Sequence, residues 1–296
     1  MRRSSTGIAI AALLGLPAAA AAVPFDPASP TTLWTPIDYP TTAPDWADDQ
    51  RTGIPEADVV GDLVHPAFYT IFDDAGTPST TDGTLGFRIR LGAEKSPAGF
   101  SQVAAVGIDG DLDGALDLFV LVDNGGSSDR IAIHEAGSGA NTSPATTTIS
   151  ATGVSYAETA LDYDWRPVTI AIDPSATIFD VDADGDVDHF LSFAVPFQDL
   201  VDRFALLGIS NVEETTAFRY VMGTSSQASS LSQDLGGPNG QTASALSFAD
   251  LGAFSIAYSA SVTPIPEPGT GLLLGAGLLG LAAARSRLRP GPAARR

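Results

Sequence analysis

Apolar and polar residues alternate along much of the middle of the chain, and this period of two predicts β-strands. Residues 85–91 alternate most clearly, with apolar side chains on one face and Arg88 and Arg90 on the other. Residues 116–122 form a nearly continuous apolar run, which is typical of a strand that is buried on both faces. Similar segments predict further strands at 67–72, 130–134, 168–172, 189–195, 217–222 and 253–258.

Clusters of Gly, Asn, Ser and Pro separate these segments, as expected for turns between neighbouring strands. Residues 196–207 are the one predicted helix, because Phe197, Leu200, Val201 and Phe204 fall at helical spacing. The chain shows no βαβ rhythm and no phosphate-binding glycine motif. The pattern therefore predicts a mainly β fold, an antiparallel β-sandwich of jelly-roll type with one short helix.

Residues 1–22 have the three parts of a secretory signal peptide. Arg2 and Arg3 supply positive charge, residues 8–16 are apolar, and residues 18–22 are small and suited to cleavage. We therefore expect an N-terminal signal helix that the Sec translocon recognises and signal peptidase removes. An extended lead-in, rich in Pro, Thr, Asp and Ala, is predicted at 23–57, and the folded domain at 58–262.

A second apolar segment lies in the tail formed by residues 263–296. Residues 269–284 carry no charge and predict a short transmembrane helix in the inner membrane. Five arginines follow this segment, namely Arg285, Arg287, Arg289, Arg295 and Arg296. Because basic residues stay on the cytoplasmic side, the folded domain is expected outside the inner membrane.

Pro266, Glu267 and Pro268 stand directly before the apolar segment, and Arg285 and Arg287 follow it. In this order, the parts of the tail resemble the PEP-CTERM sorting signal of Gram-negative bacteria. The resemblance implies that an exosortase recognises and processes the tail while the apolar segment holds the protein in the membrane. The protein is then expected at the cell surface or outside the cell.

Charge is divided unevenly along the chain, which has a formal net charge of −20 at pH 7. Of the 35 acidic residues, 34 lie between residues 23 and 262, with only 8 of the 15 basic residues, so this part carries −26. Such a surface repels nucleic acid and attracts cations, and we expect no nucleic-acid partner. The absence of cysteine excludes disulfides, thiolate metal sites and cysteine nucleophiles.

Two nine-residue segments, at 109–117 and 180–188, share the pattern D-x-D-x-D-G-x-x-D. Carboxylates at positions 1, 3, 5 and 9 and a backbone carbonyl at position 7 supply the oxygen ligands that Ca²⁺ prefers, and the glycine at position 6 permits a tight coil. The predicted ligands are Asp109, Asp111, Asp113, Ala115 and Asp117 in the first loop and Asp180, Asp182, Asp184, Asp186 and Asp188 in the second. We expect this calcium to be structural.

These loops differ from EF-hands, because position 12 holds Val120 or Leu191 instead of the bidentate glutamate. The segments after both loops also have the pattern of strands rather than helices. The loops therefore resemble the calcium turns of dockerin-like, thrombospondin-like and FG-GAP proteins.

Several segments of the middle are similar, in the same order, to exported domains related to family-nine carbohydrate-binding modules and DOMON-type sandwiches. These segments are residues 60–62 with 65–66, 85–91, 109–122, 130–135, 191–196 with 199–200, and 218–226. The resemblance implies a β-sandwich and makes carbohydrate binding an alternative function. Trp165 is the best candidate for a sugar-stacking platform, although core packing is the larger expectation for it.

These observations favour an exported, non-catalytic surface protein that is stabilised by calcium and acts in the exopolysaccharide or surface layer, with extracellular polysaccharide as a partner. Carbohydrate binding proper is the first alternative, and a fragment of an FG-GAP-type propeller is the second. The wide interval between the two Asp-rich loops argues against a propeller. No enzyme activity is expected, because the sequence lacks G-x-S-x-G and histidines at zinc-binding spacing.

Overall fold

A computed structural model describes residues 25–39, 49–95, 99–126, 129–237 and 244–261. The predicted signal helix at 1–22 and the predicted transmembrane helix at 269–284 lie outside these residues. Within the described part, no helix is long and apolar enough to cross a membrane.

The described residues form twelve strands and two α-helices. The strands are β1 (Thr35–Pro36), β2 (Phe68–Asp73), β3 (Thr84–Leu91), β4 (Val103–Asp109), β5 (Leu118–Asp123), β6 (Arg130–Ala136), β7 (Ile149–Ala157), β8 (Tyr163–Pro167), β9 (His189–Pro196), β10 (Ala217–Ser225), β11 (Asp234–Leu235) and β12 (Tyr258–Ser259). The helices are α1 (Phe197–Leu206) and α2 (Phe248–Leu251), and 3₁₀ turns occur at Thr31–Leu33, Pro55–Ala57 and Pro144–Thr146. The predicted helix is thus confirmed as α1.

The strands form two antiparallel sheets. Sheet A has the order β1-β2-β3-β9-β8, and sheet B has the order β11-β10-β4-β5-β6-β7, with β12 also paired to β10. Apolar side chains from both sheets meet between them, as where the rings of Phe87 and Tyr220 lie 5.9 Å apart. The predicted mainly β sandwich is therefore confirmed, and the described strands do not form the blades of a propeller.

The outer face of sheet B is covered by the chain that follows β10. Phe119 and Leu121 of β5 point to this face, where they pack in one apolar cluster with Phe248 and Phe254. Val120 and Val122 alternate with them and enter the core between the sheets. This double coverage explains the unbroken apolar sequence of β5.

The outer face of sheet A is covered by the described part of the predicted lead-in. Trp34 is buried there, and the guanidinium of Arg88 lies 4.2 Å from the centre of its ring. Arg88 also donates a hydrogen bond of 2.7 Å to the backbone oxygen of Pro27. Residues 25–39 are therefore part of the sandwich, and both arginines of β3 are buried instead of facing water.

Two strand predictions are wrong in position. Residues 168–172 form turns, in which the amides of Ile172 and Asp173 donate to the oxygen of Thr169, and the strand lies just before them as β8. Residues 253–258 pair only at their end, in β12. Tertiary contacts override the apolar pattern here, because Val168 and Ile172 pack on sheet A from outside its ladder.

The sequence prediction also missed β4 and β7. The sequence of β4, Val-Ala-Ala-Val-Gly-Ile-Asp, contains Ala and Gly, which are rare in strands, yet β4 is wholly buried between β5 and β10. The sequence of β7 is rich in Ser, Thr and Gly and has the composition of a loop. Hydrogen bonding to β6 makes it the edge strand of sheet B.

Candidate metal centres

The first Asp-rich loop connects β4 to β5 and coils around its own aspartates. Asp109 accepts a hydrogen bond from the amide of Gly114 (3.1 Å), and Asp117 accepts one from the amide of Gly110 (2.8 Å). Leu112 and Gly114 adopt positive φ angles of 63° and 96°, which turn the backbone back on itself. The carboxylates at the two ends of the pattern are thereby held on the same side of the coil.

The second Asp-rich loop lies before β9 and repeats this conformation position by position. Asp180 accepts from the amide of Gly185 (3.1 Å), and Asp188 accepts from the amide of Val181 (3.2 Å). Ala183 and Gly185 have φ angles of 61° and 102°, nearly those of the matching residues in the first loop. One sequence pattern therefore produces one loop geometry at two places in the sandwich.

Each loop brings three of its predicted carboxylates together. The oxygen atoms of Asp109, Asp111 and Asp117 lie within 4.8 Å of one another, and so do those of Asp180, Asp182 and Asp188. Oxygens that surround one Ca²⁺ at about 2.3–2.6 Å are at most about 5 Å apart. The spacing of both groups therefore fits a single calcium ion.

The carboxylates at position 5 are not in these groups. Asp113 is exposed and accepts from the amide of Ala115 (2.8 Å), and Asp184 is exposed and accepts from the amide of Asp186 (2.7 Å). The loops therefore present positions 1, 3 and 9 together and use position 5 to support the turn. The residues at position 7, Ala115 and Asp186, donate these hydrogen bonds through their amides, and the role of their carbonyls as ligands stays a prediction.

Some carboxylate oxygens in the loops are buried without a hydrogen-bond partner. They are the Oδ1 atoms of Asp109, Asp180 and Asp182. Asp109 is completely buried, and its other oxygen, Oδ2, accepts from Gly114 and from Arg219. A buried carboxylate oxygen without a partner is costly, and a bound cation would remove that cost.

Burial and mutual repulsion favour the protonated form of these groups and so raise their pKa values. The pKa of Asp117 is raised to about 6, chiefly by burial and also by the negative charges of the neighbouring Asp111 and Asp109. Burial raises the pKa of Asp182 to about 7, and the adjacent carboxylate of Asp180, which favours a proton on Asp182, adds to the rise. A cation would reverse this balance, because it favours the ionised carboxylates.

An arginine from a neighbouring strand contacts each loop. Arg219 of β10 lies 2.5 Å from the Oδ2 atom of Asp109. Arg90 of β3 lies 3.0 Å from Asp188 and 2.6 Å from Asp173, and all three side chains are buried. Burial raises the pKa of Asp188 to about 6, although Arg90 opposes this rise. The sequence prediction missed both arginines, because nothing local to the loops indicates them.

A third acidic group was also missed. Oxygen atoms of Asp49, Asp58 and Asp234 lie within 4.8 Å of one another, and Asp58 and Asp234 are buried. Asp234 accepts from the amides of Val59 and Leu235, each at 2.7 Å. These residues are far apart in the sequence, and their local contexts carry no metal-binding pattern, so only the fold reveals the group.

Trp165 packs at the edge of the core and not as an open platform. Its ring stacks on His189 at 4.8 Å, lies 5.5 Å from Phe100, and donates to Glu94 at 3.3 Å. These contacts agree with the larger expectation of core packing for this residue. They give no support to sugar stacking at Trp165.

Comparison with known proteins identifies the tail. Residues 264–287 match the family model described as the PEP-CTERM protein-sorting motif, and the match includes Pro266, Glu267, Pro268, Arg285 and Arg287. The motif implies recognition by an exosortase, export and a membrane-anchored sorting step before the cell surface. These five residues lie outside the part of the chain that the structure describes.

No curated protein and no solved structure matches the chain. The resemblance of the middle to family-nine carbohydrate-binding modules and DOMON-type domains therefore gains no support from these comparisons. The sorting of the protein to the cell surface is inferred from its tail, and its molecular role has to be argued from the structure of the sandwich.

Proposed function

We propose that this exosortase-sorted protein is a non-catalytic component of the exopolysaccharide or surface layer, and that calcium in the two Asp-rich loops stabilises its sandwich. One observation carries the proposal. In both loops, three carboxylates converge within the spacing of one ion, and buried oxygens among them lack hydrogen-bond partners. The negative charge of the exported part adds to the attraction for cations.

Calcium suits these loops better than magnesium. Ca²⁺ accepts six to eight oxygens in a flexible arrangement, whereas Mg²⁺ demands a near-octahedral shell and gives up its water reluctantly. Both loops offer carboxylates and backbone on a coil and no nitrogen or sulfur ligands. Asp111 and Asp182, at position 3, belong to the converging groups, whereas the hydrogen bonds that hold each coil together are accepted by positions 1 and 9.

The position of the loops supports a structural role for the ion. The first loop joins β4 to β5 in the middle of sheet B, and the second leads directly into β9, which pairs with strands on both sides in sheet A. Asp109 is the last residue of β4, and Asp188 immediately precedes β9. Loosening either loop is therefore expected to loosen a central strand.

The proposal is tested by melting the purified mature protein in calcium, in magnesium and in chelator. A ligand that binds only the folded state stabilises it by about 2.7 kcal/mol at a hundred times its dissociation constant. Extracellular sites bind calcium with constants of roughly 0.1–1 mM, so millimolar calcium supplies part of this. We expect the Tm to rise by about 2–6 °C with calcium and by less with magnesium.

The double variant Asp111→Ala/Asp182→Ala is expected to lose most of the calcium response. Its matched control is Asp129→Ala/Asp202→Ala, which removes two exposed carboxylates outside the loops and changes the net charge equally. The control should respond to calcium like the parent. If both double variants and the parent all respond alike, the loops are acidic turns and the calcium part of the proposal fails.

The non-catalytic part of the proposal has its own test. Among the residues that the structure describes, the carboxylates that converge do so in three groups that could each hold a cation. We expect the purified protein to leave acidic and neutral polysaccharides intact in calcium buffer over long incubation. Release of reducing ends above that of a heat-denatured sample would overturn this part of the proposal.

A further inference from the structure

A polar pocket lies between residues 51–52 of the lead-in and the hairpin formed by β10 and β11. Its volume is about 290 Å³, near the lower end of the roughly 300–1,000 Å³ of small-molecule sites. Every described residue of its wall is polar, namely Arg51, Thr52, Ser226, Gln227, Ser232 and Gln233. A pocket of this size and lining fits one small, strongly polar ligand.

Hydrogen bonds hold the wall in place before any ligand binds. Gln233 is buried, its side-chain oxygen accepts from Thr52 (2.8 Å), and its backbone oxygen accepts from the amide of Arg51 (3.2 Å). On the other side, the hydroxyls of Ser225 and Ser232 lie 2.9 Å apart. A preformed wall lowers the entropy that a ligand has to overcome on binding.

Arg51 is distinguished from the other arginines of the sandwich. Among the seven arginines that the structure describes, it is the one whose guanidinium makes no hydrogen bond or ion pair. The other six contact a partner, namely Pro27 for Arg88, Asp188 for Arg90, Asp123 for Arg130, Asp164 for Arg166, Glu135 for Arg203 and Asp109 for Arg219. Arg51 is exposed, and the described lining of the pocket contains no carboxylate.

The nearest aspartate in the sequence of the hairpin does not neutralise the pocket. Asp234 follows Gln233, but its side chain is completely buried and accepts from the amides of Val59 and Leu235. The positive charge of Arg51 is therefore available to a ligand in the pocket.

We propose that this pocket binds a carboxylate-bearing sugar, a hexuronate unit of an acidic polysaccharide. Arg51 presents paired N–H donors that match the two oxygens of a carboxylate. The hydroxyls of Thr52, Ser226 and Ser232 and the amide of Gln227 can both donate to and accept from sugar hydroxyls. The polar wall disfavours apolar ligands, and none of its described residues is an aromatic ring on which a neutral sugar could stack. This inference goes beyond the calcium proposal and does not depend on it.

The test is a titration of the purified mature protein with D-glucuronate, followed by ligand-observed NMR and calorimetry. D-glucose serves as the neutral sugar of the same ring, and acetate serves as the carboxylate without a ring. We expect glucuronate to bind at least about tenfold more tightly than either, because only glucuronate engages both Arg51 and the hydroxyl wall. The titration is repeated in chelator. Glucuronate binding there is measured without calcium, so the two proposals can fail independently of each other.

The variant Arg51→Gln is expected to bind glucuronate about tenfold more weakly, since one charge-assisted pair is lost. Lys95→Gln removes the same charge from an exposed side chain elsewhere and should bind like the parent. Unchanged melting of both variants shows that each is folded. Equal affinities of glucuronate and glucose, equal affinities of glucuronate and acetate, or equal losses in the two variants would overturn the proposal.

Discussion

The two Asp-rich loops share a nine-residue pattern and a backbone conformation, yet they are attached to the sandwich in different ways. In the first loop, the contact with arginine is at position 1, where Asp109 meets Arg219, which is 26% exposed. In the second loop, the contact is at position 9, where Asp188 meets the fully buried Arg90. Equal patterns thus produce equal coils, and the neighbouring strands decide where the counter-charge lies.

The second attachment differs from the first in its degree of desolvation. Arg90 joins Asp188 and Asp173 in a network that excludes water on all sides, and its guanidinium also lies 4.7 Å from the ring of Phe190. Arg219 pairs with one carboxylate and lies 4.7 Å from the ring of Phe254 near the surface. Two loops of the same conformation can therefore differ strongly in how much their arginine contributes to the stability of the fold.

The largest expected effect is the loss of Arg90. Arg90→Met leaves Asp173 and Asp188 buried without their cation, and this is expected to cost about 3–5 kcal/mol of unfolding free energy. Arg219→Met leaves the buried Asp109 without an arginine that is itself 26% exposed, and we expect a smaller cost of about 1–2 kcal/mol. Urea unfolding in chelator measures both values. Equal losses in the two variants would remove the distinction between the attachments.

The residue at position 2 of the pattern packs differently in the two loops. A Cβ added to Gly110 would overlap the ring of Phe204, which is completely buried. Gly110→Ala is therefore expected to cost about 1–3 kcal/mol. The matching residue of the second loop is Val181, and Val181→Ala should change stability by less than about 1 kcal/mol. The same urea experiment serves, and a cost at Gly110 no greater than that at Val181 would contradict the packing argument.

Gly92, which lies outside the pattern, allows the two proposed calcium sites to be tested separately. A Cβ added to Gly92 would lie 2.8 Å from the Oδ2 atom of Asp182, so Gly92→Ala should displace that carboxylate. We expect calorimetry to show about tenfold weaker calcium binding at one site and unchanged binding at the other. Gly125→Ala is the control, because its added Cβ would meet its neighbours only at ordinary contact distance. A parent-like isotherm for Gly92→Ala would show that Asp182 is not a ligand.

The smallest expected effect is a pH dependence of stability that arises outside both loops. It has to be measured before a pH dependence of stability can be assigned to the loops. Burial raises the pKa of Glu158 to about 7 from its ordinary value of 4.5, and the nearby Asp129 and Asp162 contribute to the rise. The folded state therefore holds a proton that the unfolded state releases, and stability falls as the pH rises from 4.5 to 7.

Glu158→Gln is expected to flatten this decline, so that the variant gains about 1–3 °C in Tm relative to the parent at pH 8 and nothing at pH 4. Melting curves across this range in chelator provide the measurement. Asp129→Ala should flatten the decline only slightly, because the largest cause is burial. Parallel melting curves for Glu158→Gln and the parent would show that Glu158 titrates normally in the folded protein.

Local patterns predicted the parts of the structure whose conformation is decided locally. The alternation at 85–91 corresponds to β3, whose Leu85, Phe87, Ile89 and Leu91 all enter the core. The helical spacing at 196–207 corresponds to α1, which buries Phe197, Leu200 and Phe204. In both segments, the period of the side chains and the period of the backbone agree, so the neighbours in space add burial without changing the conformation.

Other parts followed contacts that no local pattern contains. Residues 168–172 have the alternation of a strand, but they turn so that Asp173 reaches Arg90. Residues 149–157 have the composition of a loop, but the free edge of β6 makes them a strand. In each case, a partner distant in sequence offers hydrogen bonds or a counter-charge that outweighs the local preference.

The sequence by itself determined the mainly β fold, the coil of the two Asp-rich loops and the sorting motif, because each depends on residues that are close together in the chain. Tertiary structure alone decided that Arg88 and Arg90 are buried, that arginines contact opposite ends of the two loops, and that Asp49, Asp58 and Asp234 converge. Alternation shows which side chains share a face of a strand, but not what covers that face. Desolvation and charge pairing depend on that cover, and it comes from segments far away in the sequence.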